Sequence, residues 1–244
     1  MPFAVVTGAL GGIGRAICTV LTAAGYRVIG LDRGEGGSPS EFFLRCDIRD
    51  FHAHPGKVEG VLAEIRRLTG GQLALLVNNA AHQVVKPVAA LTREDWDETL
   101  ATNVTAPFLL IQQLLPELET ARGSVVNIAS IHANLTKPEF VAYATSKGAL
   151  VTMSQALAVE LGPRGVRVNA VLPAATDTPM LRAGFAARPE GLAELGAQHP
   201  IGRIATPEEI AHFIVFLASP AAGFITGSAL AIDGGIGHRL HDPV

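Results

Sequence analysis

The sequence predicts the α/β class: a doubly wound parallel β-sheet of about seven strands with helices on both faces. Short β-branched runs alternate with amphipathic stretches from end to end, the pattern of parallel strands joined by crossover helices. The strands are near-continuously apolar rather than alternating, which calls for cover on both sides. A chain of 244 residues is long enough to bury this sheet, so residues 1–244 are expected to form one domain.

The elements follow in order. "FAVVT" at 3–7 is the first strand, and a helix at 12–24 opens on glycines. "RVIGL" at 27–31 is the second strand. Between Asp32 and Asp47, the Gly, Pro and Ser of "RGEGGSPSEFFLRC" leave no room for a full helix, so this crossover is expected to be loop before a strand at 42–46. A helix at 56–68 leads to a strand at 73–77, and helices at 93–101 and 104–118 lead to one at 124–129. A helix at 142–161 precedes the strand "GVRVNAV", and a helix at 207–218 precedes the last strand at 228–232. The one long connection, 174–206, is the expected substrate lid, since long loops in compact domains are often functional. Met180, Leu181 and Phe185 there serve as lid packing or substrate contacts, and Arg182 and Arg188 are candidates to meet a carboxylate.

Composition narrows the function. A net charge of −3 provides no basic stripe, which argues against nucleic acid and for a small-molecule partner. The two cysteines, Cys18 and Cys46, form no C-x-x-C pair, and His52 and His54 have no third ligand nearby, so no metal site is expected. No apolar run approaches the roughly 20 residues that span a bilayer. The first strand begins almost at the first methionine, without a leader-like segment. The expectation is a soluble cytoplasmic protein with no membrane partner.

Directly after the first strand comes "TGALGGIG", with Thr7, Gly8, Gly12, Ile13 and Gly14 leading into a helix. Glycines let a backbone turn tightly against a pyrophosphate, and a helix N-terminus presents free N–H groups to it. The second strand ends in Asp32, about where an acid meets an adenosine ribose, which favours NAD. Arg33 follows it and would suit a 2′-phosphate.

"YATSK" places Tyr143 and Lys147 four apart, on one face of a helix. A free tyrosine has a pKa near 10. A neighbouring ammonium lowers it, giving a proton-transfer group usable near neutral pH. Ser130 closes the strand "VVNIAS", at the sheet edge where ligands bind, and its hydroxyl can donate to a reacting oxygen. His132, two residues on, is a candidate for the pocket wall. "LLVNNAA" ends another strand, and Asn103 in "ATNVT" opens a helix.

On these residues the chain, from Phe3 to Gly235, resembles the short-chain dehydrogenase/reductase family, whose fold is of Rossmann type. The resemblance implies that Thr7, Gly8, Gly12, Ile13 and Gly14 form the coenzyme loop, that Asp47 and Ile48 meet adenine, and that Asn79, Ala80 and Ala81 flank the coenzyme beside Asn78. It implies a catalytic set of Asn103, Ser130, Tyr143 and Lys147. Tyr143 is then the acid/base, Ser130 positions the reacting oxygen, Lys147 also holds the nicotinamide ribose, and Asn103 anchors a proton-relaying water. "VNAVLPAATDT" resembles the turn that places Pro173, Thr176 and Thr178 near the carboxamide. Ala81 and Ala174 stand where the family usually has glycine, which is tolerable if their φ stays negative.

The implied activity is NAD-dependent interconversion of a secondary alcohol and a ketone. The absent helix after Asp32 resembles an NAD-linked subset acting on cyclic hydroxy compounds. One rival is an NADPH-dependent 3-oxoacyl carrier-protein reductase, opposed by Asp32 and supported by Arg33. Another is a non-catalytic dinucleotide-sensing regulator, which would not need Ser130, Tyr143 and Lys147 together. The stretches "FLLIQQLLPEL" and "ALVTMSQALAVEL" are apolar on more than one face, and with a mean hydropathy of +0.33 they suggest burial beyond one subunit. In the family, such helices build a homotetramer.

Overall fold

The computed structural model describes residues 1–240 and forms a seven-stranded parallel sheet with strand order β3-β2-β1-β4-β5-β6-β7. The strands are β1 (Phe3–Thr7), β2 (Arg27–Asp32), β3 (Phe42–Arg45), β4 (Leu75–Asn78), β5 (Ser124–Ile128), β6 (Arg167–Pro173) and β7 (Ala229–Ile232). The order reverses between β1 and β4, where Val5 is flanked by Ile29 on one side and Leu76 on the other. This reversal opens a crevice at the carboxyl ends of the strands, where α/β sheets bind ligands.

Successive strand residues point to opposite faces, and both faces are packed. Val5, Leu76, Val125 and Val168 meet Val58, Leu62 and Ile65 of α3 (Pro55–Thr69) and Ala158 and Leu161 of α7 (Val141–Leu161). Ala4, Val6, Val77 and Val126 meet Ile17 and Leu21 of α1 (Gly12–Ala23) and Ile210, Ile214 and Leu217 of α10 (Pro207–Ala218). The near-continuous apolar strands therefore have the double cover expected of them.

Three segments differ from the sequence expectation. The helix expected at 104–118 is a π-helical turn at Ala101–Thr105, then α5 (Ala106–Gln113) and α6 (Leu115–Ala121), separated by Leu114 at φ −101° and ψ 10°. Pro116 has no N–H and its ring crowds the carbonyl four residues back, which forces the break. The connection 174–206 contains α8 (Pro179–Gly184) and α9 (Glu190–Gln198). The third strand is followed by a short turn of helix, α2 (Asp50–Ala53), before α3. The crossover after Asp32 is loop, as expected.

Candidate active site

The glycine loop is built by close packing. A Cβ on Gly14 would lie 2.0 Å from the Gly8 carbonyl oxygen, and Gly8 itself has φ +66°. Gly11 caps α1 without a side chain, and the first turn of that helix carries no acidic residue. The N-terminal N–H groups thus lack a side-chain cap and point toward the crevice, the arrangement that suits a pyrophosphate.

Thr7 and Asn79 hold this loop from behind. Thr7 Oγ1 accepts hydrogen bonds from the backbone N–H of Asn79 and of Ala80, both at 3.0 Å, and Asn79 Nδ2 donates to the carbonyls of Thr7 and Gly8. Thr7 is buried, so its hydroxyl shapes the cradle and does not line it. Asp32 joins the loop to the turn after β2: Oδ2 accepts from Leu10 N–H at 3.0 Å and Oδ1 from Gly34 N–H at 2.9 Å. Arg15 is exposed but engaged, donating to the carbonyls of Leu10 and Gly37. Arg33 is exposed and lines an open cavity of about 640 Å³ with Arg45, Asp47 and Lys57. Asp47 is held by Arg49, whose guanidinium keeps the carboxyl below its ordinary range and also pairs with Glu98 of α4 (Arg93–Leu100). Ile48 is buried beside it.

At the other end of the crevice, Ser130 follows β5, and its Oγ accepts from the backbone N–H of His132 at 3.2 Å. That bond leaves the Ser130 proton free to be donated elsewhere. Tyr143 and Lys147 stand on α7, and Lys147 Nζ lies 5.5 Å from the centre of the Tyr143 ring. Lys147 is fully buried and donates to the Ile128 carbonyl at 2.7 Å.

The protonation of this pair corrects the sequence expectation. Burial pushes the Tyr143 phenol up to about 12, with the Ser130 hydroxyl opposing the rise. Burial also pulls Lys147 down to about 7. Desolvation disfavours each charged form, and it weakens the hold on a proton of the lysine that was expected to lower the phenol.

Asn103 lies in the π-helical turn, a feature frequent at functional sites. Its side chain accepts from His82 N–H, donates to the His82 carbonyl and donates to Ser146 Oγ, which in turn donates to the Tyr143 carbonyl. Sequence reasoning missed His82 and Ser146. It also missed a buried chain in which Asn78 Nδ2 donates to Asn127 Oδ1 and Asn127 Nδ2 to Ser154 Oγ, both at 2.8 Å. The signal was present for Ser154, which falls two helical turns after Lys147 on one face.

A family model described as enoyl-(acyl carrier protein) reductase matches residues 8–237. D-threitol dehydrogenase of Mycolicibacterium smegmatis is 37% identical over 247 residues, spanning 95% of this chain and 91% of that protein. The chain belongs to the short-chain dehydrogenase/reductase family. It is accordingly an oxidoreductase acting on CH–OH groups. Aldohexose dehydrogenase of Thermoplasma acidophilum superposes with a TM-score of 0.93 at 30% identity, covering 100% of this chain and 96% of that one. A 3-ketoacyl-(acyl-carrier-protein) reductase from Brucella melitensis, solved with NADH, superposes with a TM-score of 0.86 at 27% identity, covering 97% of this chain and 98% of its own.

Two positions depart from the usual short-chain dehydrogenase pattern, and the backbone explains how. Among the described non-glycine residues only Arg122 and Glu139 have positive φ, so Ala81 and Ala174 keep the negative φ that makes their methyls tolerable. Pro173 ends β6, and the excursion that follows is tied at its neck. Thr176 bridges Ala205, with Asp177 N–H donating to the Ala205 carbonyl and Ala205 N–H to the Ala175 carbonyl. Thr178 Oγ1 caps α8 by accepting from Leu181 N–H, and a Cβ on Gly12 would lie 2.9 Å from the Thr178 side chain. The glycine loop and the start of the 174–206 connection are thus in contact. Arg182 pairs with Asp177 at 2.6 Å and Arg188 with Glu194 at 2.5 Å.

Proposed function

We propose that this protein is an NAD-dependent dehydrogenase that interconverts a secondary alcohol and a ketone. One observation carries the reading: Ser130, Tyr143 and Lys147, from two separate elements, meet at the carboxyl ends of the strands beside an uncapped, glycine-lined helix N-terminus. The loop fits a dinucleotide, because a side chain at Gly8, Gly12 or Gly14 would collide with backbone or with the lid. Gly8, Gly12, Ile13 and Gly14 would take the pyrophosphate, Asp47 and Ile48 the adenine, and Asn79, Ala80 and Ala81 the middle of the coenzyme. Pro173, Thr176 and Thr178 would border the nicotinamide. When bound, the nicotinamide supplies the hydride acceptor.

The chain's own residues do the rest. Ser130 donates its proton to the carbinol oxygen and holds it against the Tyr143 hydroxyl. In oxidation Tyr143 acts as the phenolate, its own proton having passed to solvent, and its oxygen takes the hydroxyl proton as the carbon-bound hydrogen leaves; in reduction the phenol gives that proton back. Lys147, with a pKa of about 7, accepts and releases a proton near neutrality, and its ammonium form suits the coenzyme ribose. Asn103 fixes the far end of this relay by bonding to both His82 and Ser146.

Asp32 sets the coenzyme. Its carboxylate is fixed by two backbone N–H groups at the end of β2, where the adenosine ribose would lie. A 2′-phosphate a few ångströms away would be repelled by roughly 3–4 kcal/mol at an effective dielectric near 20. Arg15, committed to two carbonyls, is not free to offset this. Arg33 is exposed and keeps the NADPH-linked reductase as the second reading. The test is NADH absorbance on mixing enzyme, NAD and a panel of secondary alcohols, repeated with NADP. A preference for NAD of about a hundredfold in kcat/KM is expected. Asp32→Ser should narrow it; equal use of both coenzymes by the wild type would favour the reductase.

A further inference from the structure

His132 is held more firmly than a residue on a pocket wall requires. Its ring stacks on Phe140 with centres 4.6 Å apart and planes at 14°, and meets Tyr143 edge-on at 5.8 Å and 74°. Its Nδ1 pairs with Thr136 Oγ1 at 3.2 Å, and its backbone N–H bonds Ser130 Oγ. The imidazole is thus fixed beside both groups that would hold the reacting oxygen. On the ring edge away from Thr136, Nε2 has no hydrogen-bond partner among the described residues, and the ring is only half-buried, so this edge is open to a ligand.

We propose that His132 reads a second hydroxyl, on the carbon next to the reacting carbinol, so that the substrate is a neutral vicinal diol or polyol. This rests on the dehydrogenase reading above. Hydroxyls on adjacent carbons in a gauche arrangement lie within hydrogen-bond distance of each other. A donor or acceptor next to Ser130 and Tyr143 therefore reaches the second when they hold the first.

The chemistry around the ring favours a neutral partner. Burial, together with the Lys137 ammonium, holds His132 at about 4, so the imidazole is uncharged at neutral pH. A neutral imidazole offers one donor and one acceptor, which matches a hydroxyl. Cations that would bind a carboxylate or phosphate are already engaged: Arg182 by Asp177, Arg188 by Glu194, Lys147 by the Ile128 carbonyl, and Lys137 over the Phe140 ring at 4.6 Å.

The test compares cyclohexanol with cis- and trans-1,2-cyclohexanediol, each oxidised with NAD by the wild type, His132→Phe and His132→Gln. Phenylalanine keeps the stack on Phe140 and removes the hydrogen bond; glutamine returns a donor and an acceptor. The wild type should favour one diol over cyclohexanol by about tenfold in kcat/KM, the worth of one well-placed neutral hydrogen bond. His132→Phe should abolish that ratio, mainly through KM, and His132→Gln should restore part of it. A wild type that prefers cyclohexanol, a ratio unchanged in His132→Phe, or equal losses on both alcohols would overturn the proposal while leaving the dehydrogenase reading intact. No NADH from any secondary alcohol would overturn that reading, and this one with it.

Discussion

At Tyr143 the phenol oxygen is the group asked to move a proton, and burial keeps it protonated in the ligand-free pocket. Tyr143→Phe keeps the ring and loses only that oxygen. Turnover should fall by ~10²–10⁴-fold, while NADH affinity, followed by fluorescence titration, stays within about threefold of wild type. Residual activity above about a tenth of wild type would remove Tyr143 from its role. Alcohol oxidation needs Tyr143 as the phenolate, whose fraction grows with pH below a pKa of about 12, so kcat/KM for oxidation should rise between pH 6 and pH 9, whereas ketone reduction, which needs the protonated phenol, should not. Lys147 makes a separate, thermodynamic prediction. Its folded pKa of about 7 lies below the unfolded value of 10.5, so between those limits the unfolded chain binds the extra proton. The contribution of this group to stability must therefore rise with pH from 7 to about 10. Urea denaturation of Lys147→Met over that range should show a flatter pH dependence than wild type; an equal slope in both would mean the lysine is hydrated.

Helix α7 carries Tyr143 and Lys147, and its position over the sheet is set by polar pairing as well as apolar packing. Ser154 receives the Asn127 amide at 2.8 Å and passes its own proton to the Leu150 carbonyl. Ser154→Ala leaves a buried amide donor unpaired, which should cost ~1–3 kcal/mol in denaturant unfolding, and Ser154→Thr should recover most of it. Helix α1 supplies a harsher case. Gly14→Ala puts a methyl where the Gly8 carbonyl already lies 2.0 Å away, so helix and strand must separate. Coenzyme affinity should drop at least tenfold by NADH titration, and a variant that binds normally would show that the cradle is not formed this closely. At this scale much was legible in the sequence: glycine spacing and apolar periodicity mark α1, β1, β2 and α7 because those signals are local. The break at Leu114 was not, since Pro116 sits inside an apolar pattern that reads as one helix. The two helices within 174–206 were hidden because they are short, six and nine residues, and too few turns are present to set a period.

The outer faces of the molecule retain apolar groups that a monomer would leave wet. Phe108 on α5, Val141 and Val159 on α7, Phe216 on α10 and Phe224 before β7 are all exposed, Val159 at 81% and Phe224 completely. Light scattering in dilute buffer is expected to give a homotetramer near four times 25.5 kDa; a stable, active monomer would contradict this. The residue types and their order along the chain were enough to determine the alternating strands and helices, the glycine turn, the acid at the end of β2 and the Tyr143–Lys147 face, since all of these depend on short-range spacing. Only the folded molecule decided that Thr7 and Asn79 support the glycine loop from behind, that Arg49 joins Asp47 to Glu98, and that Asn103 bonds through Ser146 to the helix bearing Tyr143. It also decided the burial that raises the Tyr143 pKa and lowers that of Lys147. Burial and pairing depend on which distant segments meet, and the cost of removing a charge from water is not written in the spacing of the residues that carry it.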